Sequence, residues 1–393
     1  MRSFSLYFLM FTFFYVDCLN LEQVFVLSRH NLRAPLTKKL QKMTNYTLPL
    51  WSTEVAHLTP KGFLLEQYMG GYFIEWLRNL GLFTYDCPGY DEVLIYTNTY
   101  QRTKETGRAF AESAFKDCNV TVLFKNTTKV DPLFHPIIRN DTVEFKELYV
   151  KAMQDKLDSF DLKESYELLD QIIDFKNSDM CKSGSFCDLI NTKNEILFQV
   201  GEEPDVFGPL SVGNSFADLF LMSYYSDKPI EDIAWGKITN EDQWAKLLRL
   251  TRENQNVRFN YAMSKDLVMP ILNYMKDTLH KKEWTRKFTM LVGHDSNLKS
   301  VMASLEFKSF NLTDQYELTP IGGKIVFQKW RNDVDEDLLK IDYVYQSNKQ
   351  LRRNTKLDLM NPPQFKCMEL EDCESDENNL CSWKQFERIL QSI

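Results

Sequence analysis

Apolar and polar residues alternate in two different rhythms along the first third of the chain. Short runs rich in Val, Leu, Ile and Phe, typical of buried strands, occur at 21–29, 91–97 and 119–124. Residues 59–81 and 100–116 between them show the spacing of helices. Thr59 is suited to cap the first of these helices, Pro60 to begin it and Gly81 to end it. The order β-α-β-α-β predicts a mostly parallel sheet with helices on its faces.

The pattern becomes mainly helical from about residue 141 to residue 280. A strand pattern returns at 287–292, and a helix follows it. The last segments with a clear pattern, two strands and a short helix, lie at 322–330, 338–346 and 382–392. We therefore predict an α/β fold whose mostly parallel, helix-flanked sheet is built from both ends of the chain, with an inserted helical domain between them.

The predicted domain boundaries follow from these changes of pattern. Residues 1–18 are predicted to be a secretory signal peptide, because the apolar run at 5–16 is too short to span a bilayer. A buried first helix is the alternative interpretation of that run. Residues 19–140 and 281–393 are assigned to the α/β domain, and residues 141–280 to the helical domain. We expect a secreted, extracellular protein without a membrane anchor, or a periplasmic one if the host is bacterial.

Charge and composition narrow the range of partners. The chain of 393 residues carries a net charge of −8, which argues against nucleic acid or an anionic membrane as a ligand. An apolar content of 44% is sufficient for a sizeable core. A site for an anion would have to be built locally, from a few well-placed cations.

Such cations follow three predicted strands. RHNLR follows the strand at 21–29, TNTYQR follows the strand at 91–97, and GHDSN follows the strand at 287–292. Ligands of open parallel sheets bind at the carboxyl ends of the strands. The side chains expected to meet in one crevice are therefore Arg29, His30, Arg33, Arg102, His294 and Asp295.

This combination of side chains is suited to phosphoryl transfer. Guanidinium groups match phosphoryl oxygens, and a histidine can attack phosphorus and form a phosphoenzyme. Asp295 could protonate the leaving alkoxide and later activate water, which predicts an acid working pH. We predict no metal and no cofactor. Each of these residues alone could be an ordinary surface or turn residue; their combination favours a site.

Eight cysteines and five N-glycosylation sequons fit an exported protein. Cys18 lies at the predicted cleavage site, which leaves seven cysteines and hence an odd thiol. Two pairs, Cys181 with Cys187 and Cys373 with Cys381, are close enough in sequence to close small loops. The sequons begin at Asn45, Asn119, Asn126, Asn140 and Asn311.

The sequence resembles the histidine acid phosphatases, branch 2 of the histidine phosphatase superfamily. RHNLRAP at 29–35 and HD at 294–295 match the two hallmark motifs of that family. The stretches LVGHDSN, TPIGGKIVFQ, GPLSVGNS and AWGKI, together with the EP before GPLSVGNS, are similar to bacterial periplasmic glucose-1-phosphatases. The resemblance covers essentially the whole mature chain and implies an α/β domain with a helical domain over the cleft.

The resemblance also implies roles for individual residues. His30 corresponds to the nucleophile and Asp295 to the proton donor, while Arg29, Arg33, Arg102 and His294 correspond to the phosphate pocket. Asn31 stands where the common motif has Gly, and Leu36 and Glu203 match positions that narrow the pocket for the substrate. The implied disulfides are Cys87–Cys118, Cys181–Cys187 and Cys373–Cys381, which leaves Cys367 as the odd thiol.

The resulting hypothesis is a secreted, metal-independent acid phosphomonoesterase that forms a phosphohistidine on His30. Glucose 1-phosphate is the expected substrate, with inositol phosphates as a second class. One alternative is a broad-specificity acid phosphatase or phytase. Another, of a different class, is a secreted binding protein that kept the fold and lost catalysis. A phosphomutase is disfavoured by the export signal, because its substrates are cytosolic.

Overall fold

The computed structural model describes residues 19–36, 39–127, 129–184, 186–259, 261–280 and 286–392. The predicted signal peptide at 1–18 lies outside these residues. The strands in the described ranges are β1 Asn20–Arg29, β2 Val93–Thr97, β3 Val122–Leu123, β4 Glu195–Leu197, β5 Asp205–Phe207, β6 Phe288–Gly293, β7 Lys324–Arg331, β8 Asp337–Tyr345, β9 Gln364–Cys367 and β10 Cys381–Ser382.

The α-helices in these ranges are α1 Pro60–Asn79, α2 Gln101–Ala114, α3 Val143–Asp158, α4 Lys163–Ile173, α5 Asp179–Lys182, α6 Pro209–Tyr225, α7 Glu241–Phe259, α8 Lys265–His280, α9 Asp295–Ser304, α10 Asn348–Arg352 and α11 Trp383–Ser392. Short 3-10 helices span Lys39–Met43, Phe175–Asn177, Ile230–Gly236 and Ala262–Ser264. The Thr59 hydroxyl caps α1 by accepting a hydrogen bond from the Gly62 amide, as the sequence predicts.

The central sheet has the strand order β10-β8-β7-β1-β6-β2-β3, and β9 also pairs with β8. The pairings of β1 with β6, β6 with β2 and β2 with β3 are parallel, whereas those of β7 to β10 are antiparallel. The predicted α/β fold is therefore confirmed, with the parallel strands on one side of β1. Strands from both ends of the chain build this sheet, as predicted.

Both faces of β1 are buried, and each face contacts different helices. Val24 and Val26 pack in one apolar cluster with residues of α1 and α2. Phe25 and Leu27, which point the opposite way, pack with residues of α8, α9 and α11. Because side chains of a strand alternate between faces, this pattern gives a three-layer arrangement with β1 at its centre. The carboxyl end of β1 is thus held rigidly from both sides.

The helices α3, α4, α6 and α7 share an apolar core, which includes Tyr149, Leu169, Phe216 and Leu247 and extends to Leu65 of α1. A small β4–β5 hairpin interrupts this helical segment. The helix α8 packs instead against α9 and the sheet. The division into two domains stays a proposal, and the position of α8 favours a boundary near residue 260.

Three disulfides join the cysteine pairs that the resemblance implies: Cys87–Cys118, Cys181–Cys187 and Cys373–Cys381. Cys367 is the free thiol among the cysteines that the structure describes. A search of the described residues finds no helix long and apolar enough to cross a membrane.

Candidate active site

The carboxyl ends of β1, β2 and β6 meet at one edge of the sheet. The His30 amide donates to the Gly293 carbonyl at 3.0 Å, and the Asn98 amide donates to the Val292 carbonyl at 3.0 Å. These bonds continue the parallel ladders past the last strand residues. They bring the three predicted motifs together around a cavity of about 300 Å³. Among the residues that line it are Arg29, His30, Arg33, Leu36, Arg102, Glu203, His294 and Asp295.

His30 is held in a single orientation. Its side chain is 2% exposed, and its Nδ1 lies 2.8 Å from the carbonyl oxygen of Asn31. A carbonyl oxygen can only accept, so Nδ1 carries the proton and Nε2 keeps its lone pair. The fixed ring therefore has one nitrogen available to attack an electrophile.

The surroundings of His30 favour the neutral form of its imidazole. Burial, followed by the positive charges of Arg102 and Arg33, holds the pKa of the His30 imidazole well below its usual value. The ring of His294 lies beside it, with 5.5 Å between the ring centroids. A neutral imidazole among guanidinium groups has the protonation state that a nucleophile needs.

Two of the three arginines are fixed by carboxylates. Arg29 donates to Glu317 at 2.8 Å and to the Thr319 carbonyl at 2.5 Å. Burial opposes its charge, but Glu317 and Asp295 more than offset this effect and raise the pKa of Arg29. Arg33 forms a two-pronged ion pair with Asp218, at 2.9 and 3.1 Å. These pairs orient the guanidinium planes before any substrate arrives.

Arg102 differs from the other two arginines. Its guanidinium lies 4.4 Å from the centre of the Tyr100 ring, and it has no ion pair with a carboxylate of the described residues. Burial, together with Arg33, lowers the pKa of Arg102 to about 10, so the group is still charged at neutral and acid pH. The Nε atoms of all three arginines are buried without a hydrogen-bond partner among the described residues. Unused donors on three converging cations indicate an anion site.

His294 caps the amino end of α9, and Asn98 determines its tautomer. The Asn98 side-chain oxygen accepts from the Thr99 and Asp131 amides, at 2.7 and 3.2 Å. The other end of the Asn98 amide is thus a donor, and it lies 2.9 Å from Nε2 of His294. The 2.9 Å contact with Asn98 therefore favours neutral His294 with its lone pair on Nε2 and its proton on Nδ1. Nδ1 lies 3.5 Å from Arg102, and because a guanidinium can only donate, this longer contact is not a hydrogen bond in that tautomer. This N–H can serve as a further donor to an anion.

Asp295 is the first residue of α9 and also lines the cavity. Its carboxylate accepts from Gln255 at 2.9 Å and from the Ser296 amide at 3.1 Å, and it lies 3.6 Å from Arg29. Burial alone would raise the pKa of Asp295, but Arg29 and Arg33 reverse this effect and hold it at about 2. The free site thus contains a carboxylate at pH 4 to 6.

The three predicted substrate-pocket residues occupy different positions. Leu36 lines the cavity and is 52% exposed, so it lies at the rim. Glu203 also lines it and pairs with Arg258 at 3.0 Å, and burial raises the pKa of its carboxyl. The Asn31 side chain points away from the cavity and donates to Glu66 at 2.9 Å. Asn31 therefore reaches the site through its carbonyl, which orients His30.

Several residues of the site are absent from the sequence-based prediction. Asp218, Glu317, Gln255 and Asn98 each hold one of the predicted side chains in place. The sequence context of Asp218 could have indicated its role, because it is a single acid within the apolar run FADLFL and a buried charge needs a partner. Nothing in the sequence around Gln255 indicates its role, because its contact with Asp295 joins two helices of different layers.

The part of the chain that the structure describes contains no candidate metal site. No group of three or more His, Cys, Asp or Glu side chains there could hold a metal ion. The charge of a bound phosphoryl group would be met by guanidinium groups instead.

The model of the histidine phosphatase superfamily (branch 2) matches residues 20–346. This chain belongs to that family. It is a phosphoric monoester hydrolase of the histidine acid phosphatase type, as the sequence predicts.

Individual members of the family are similar over almost the whole chain. A glucose-1-phosphatase of Providencia rettgeri is 41% identical over 380 residues, which cover 94% of this chain and 91% of that protein. Phytase AppA of Escherichia coli is 28% identical and covers 95% of this chain and 91% of its own length. The solved apo structure of Hafnia alvei phytase matches with a TM-score of 0.84 at 25% identity, covering 95% and 97% of the two chains.

Proposed function

We propose that this histidine acid phosphatase is a secreted enzyme that hydrolyses small sugar phosphates through a phosphohistidine on His30. The observation that carries the proposal is the buried imidazole of His30, which is held in one orientation. Its Nδ1 is bound to the Asn31 carbonyl, and three guanidinium groups surround the ring. A histidine that merely bound phosphate by charge would need to be protonated.

The proposed reaction has two displacements at phosphorus. Nε2 of His30 attacks the phosphoryl group in line, a P–N bond forms and the P–O bond to the alcohol breaks. Asp295 gives its proton to the leaving oxygen. Water then attacks the phosphohistidine, Asp295 takes a proton from it, and inorganic phosphate leaves as the P–N bond breaks. Arg29, Arg33, Arg102 and the Nδ1–H of His294 stabilise the charge on the phosphoryl oxygens.

The low pKa of Asp295 bears on where its proton comes from. A phosphate monoester loses its second proton near pH 6, so below this pH the substrate is a monoanion that carries a proton. We propose that the substrate delivers this proton to Asp295 as the arginines take up its charge. Acid conditions then favour turnover through the protonation state of the substrate, which supplies the proton that Asp295 passes to the leaving group.

The size and charge of the cavity support a small monophosphate as the substrate. A volume of about 300 Å³ lies at the lower limit of small-molecule sites. Glu203 adds a carboxylate to the lining of the cavity, where it would repel a second phosphate group. The relatives named glucose-1-phosphatase, including one of Salmonella typhimurium at 39% identity, support the same substrate class.

A broad-specificity acid phosphatase or phytase is the second candidate, supported by the phytase relatives. A substitution of Glu203 distinguishes the two candidate functions. The variant Glu203→Ala should raise the activity on inositol hexakisphosphate relative to glucose 1-phosphate if Glu203 restricts the pocket. An unchanged ratio in this variant would favour the broader enzyme.

Export from the cytoplasm is supported by the apolar run at 5–16 and by three disulfides, which persist in oxidising compartments. The expected location is extracellular, or periplasmic in a bacterial host. The sequons at Asn45 and Asn119 are exposed and could carry glycans in a eukaryotic host.

A substrate panel from pH 3 to 8 tests the proposal. The wild type should release phosphate from 4-nitrophenyl phosphate and from glucose 1-phosphate without added metal. His30→Ala should lose this activity, whereas His57→Ala should keep it because the His57 side chain lies outside the cavity lining. A wild type that binds phosphate but releases none would instead support the catalytically silent binding protein.

A further inference from the structure

One face of α7 forms part of the wall of the cavity. Thr251, Asn254, Gln255 and Arg258 all line the cavity, and their spacing of three and four residues places them on the same side of the helix. Gln255 and Arg258 are engaged with Asp295 and Glu203. Thr251 and Asn254 have no such role in the reaction described above.

Asn254 is a buried amide without a protein partner. Its side chain lies at 2% exposure, and its Oδ1 accepts no hydrogen bond from the described residues. The hydroxyl of Thr251, one helical turn before it, is buried and unpartnered in the same way. A buried polar atom without a partner costs about 1 to 3 kcal/mol, so such atoms beside a cavity point to a ligand.

The charge at this wall favours a neutral ligand group. Arg258 already donates to Glu203 and to the Pro204 carbonyl, and it also pairs with Asp205 at 3.2 Å. The carboxylates of Glu203 and Asp205 outnumber the guanidinium of Arg258, so the local net charge of this group is negative. A second phosphate group would be repelled, whereas a hydroxyl group can both donate to and accept from an amide or a hydroxyl.

We propose that Asn254 and Thr251 form the subsite for the leaving group and hydrogen-bond the hydroxyls of a neutral polyol such as a hexose. This inference rests on the proposed function, because it names what occupies the cavity beyond the phosphoryl group. A site built to bond a hydroxyl discriminates strongly against a ligand that lacks it. The two residues thus contribute to specificity, and the chemistry stays with His30 and Asp295.

The test compares two substrates that share a six-membered ring. Glucose 1-phosphate carries ring hydroxyls, and cyclohexyl phosphate has none. In Asn254→Leu, kcat/KM for glucose 1-phosphate should fall about tenfold, the effect expected for one lost hydrogen bond. The value for cyclohexyl phosphate should stay within about twofold of the wild type. Thr251→Val keeps the shape of the side chain. It should lower the ratio of kcat/KM for glucose 1-phosphate to kcat/KM for cyclohexyl phosphate by about threefold or more.

Thr289→Val is the matched control. Thr289 is fully buried in β6, and its hydroxyl is also unpartnered, but it does not line the cavity. This variant should leave the ratio of the two substrates unchanged. If Asn254→Leu does not fold, Thr251→Val alone decides the question.

The proposal is overturned if the ratio of kcat/KM values is unchanged in the folded cavity variants, whether both activities persist or both fall together. Failure of the underlying phosphatase assignment would look different. In that case the wild type would hydrolyse neither of these substrates nor 4-nitrophenyl phosphate.

Discussion

A buried ion pair lies directly behind the nucleophile and offers the sharpest structural prediction. Lys324 and Glu66 have fully buried side chains whose charged atoms lie 2.8 Å apart. The Lys324 ammonium also donates to the Ser28 hydroxyl and the Gly322 carbonyl, both at 3.0 Å. The second oxygen of Glu66 accepts from Asn31, whose carbonyl orients His30. The pair therefore fixes the segment that carries His30.

The expected magnitude follows from the burial of both charges. Glu66→Gln leaves the Lys324 ammonium buried without a counter-charge, which should lower the free energy of unfolding by about 3 to 5 kcal/mol. The double variant Glu66→Gln, Lys324→Met removes both charges. It should recover most of this loss, because no uncompensated charge is then left buried.

Urea unfolding followed by circular dichroism measures both variants, and kcat/KM on 4-nitrophenyl phosphate reports the position of His30. Asp155→Asn is the control, since its ion pair with Lys151 lies on the surface of α3 and should contribute less than about 1 kcal/mol. The reasoning is refuted if Glu66→Gln costs no more than this control. It is also refuted if the double variant is as unstable as the single one.

Three further predictions concern the site and the crosslinks. Asp218→Asn removes the carboxylate that orients Arg33, so kcat/KM should fall at least tenfold; an unchanged value would show that Arg33 needs no such support. Asp295 has a pKa of about 2 in the folded chain, below the value near 3.9 expected after unfolding, so its contribution to stability is present above pH 4 and is lost as the pH falls to 2. Asp295→Asn should accordingly be less stable than the wild type at pH 5, and thermal melts should show this gap closing at pH 2; a constant gap would contradict the low pKa. Replacing Cys87 and Cys118 by Ala opens a loop of 31 residues, which should cost about 3.5 kcal/mol in urea unfolding; a loss below 1 kcal/mol would contradict the loop-entropy argument.

The sequence was sufficient to predict the residues that meet at the ends of the strands. His30, Arg102 and Asp295 each follow a strand of the parallel part of the sheet, and such strands end at one edge. Local pattern and topology therefore determine where these side chains lie. The resemblance added the disulfide partner of Cys87, which spacing alone does not indicate.

Contacts between the layers of the fold could not be predicted from the sequence. Asp218 lies on α6 and meets Arg33 across 185 residues, and no local pattern shows which helix face turns toward the sheet. An amphipathic pattern likewise predicts that α8 buries a face, but not that this face packs on the sheet rather than on the other helices. Asn31 was assigned to the substrate pocket from its place in the motif, and its side chain instead contacts Glu66.

The most direct test is to trap the covalent intermediate. Phosphohistidine is stable in alkali, so an alkaline quench during turnover of 4-nitrophenyl phosphate, followed by peptide mass spectrometry and ³¹P NMR, identifies both the residue and the nitrogen that carry phosphate. Since the Asn31 carbonyl holds the proton of His30 on Nδ1, we predict phosphate on Nε2 of His30. Turnover with no phosphate on His30, or with phosphate on its Nδ1, would contradict the proposed mechanism.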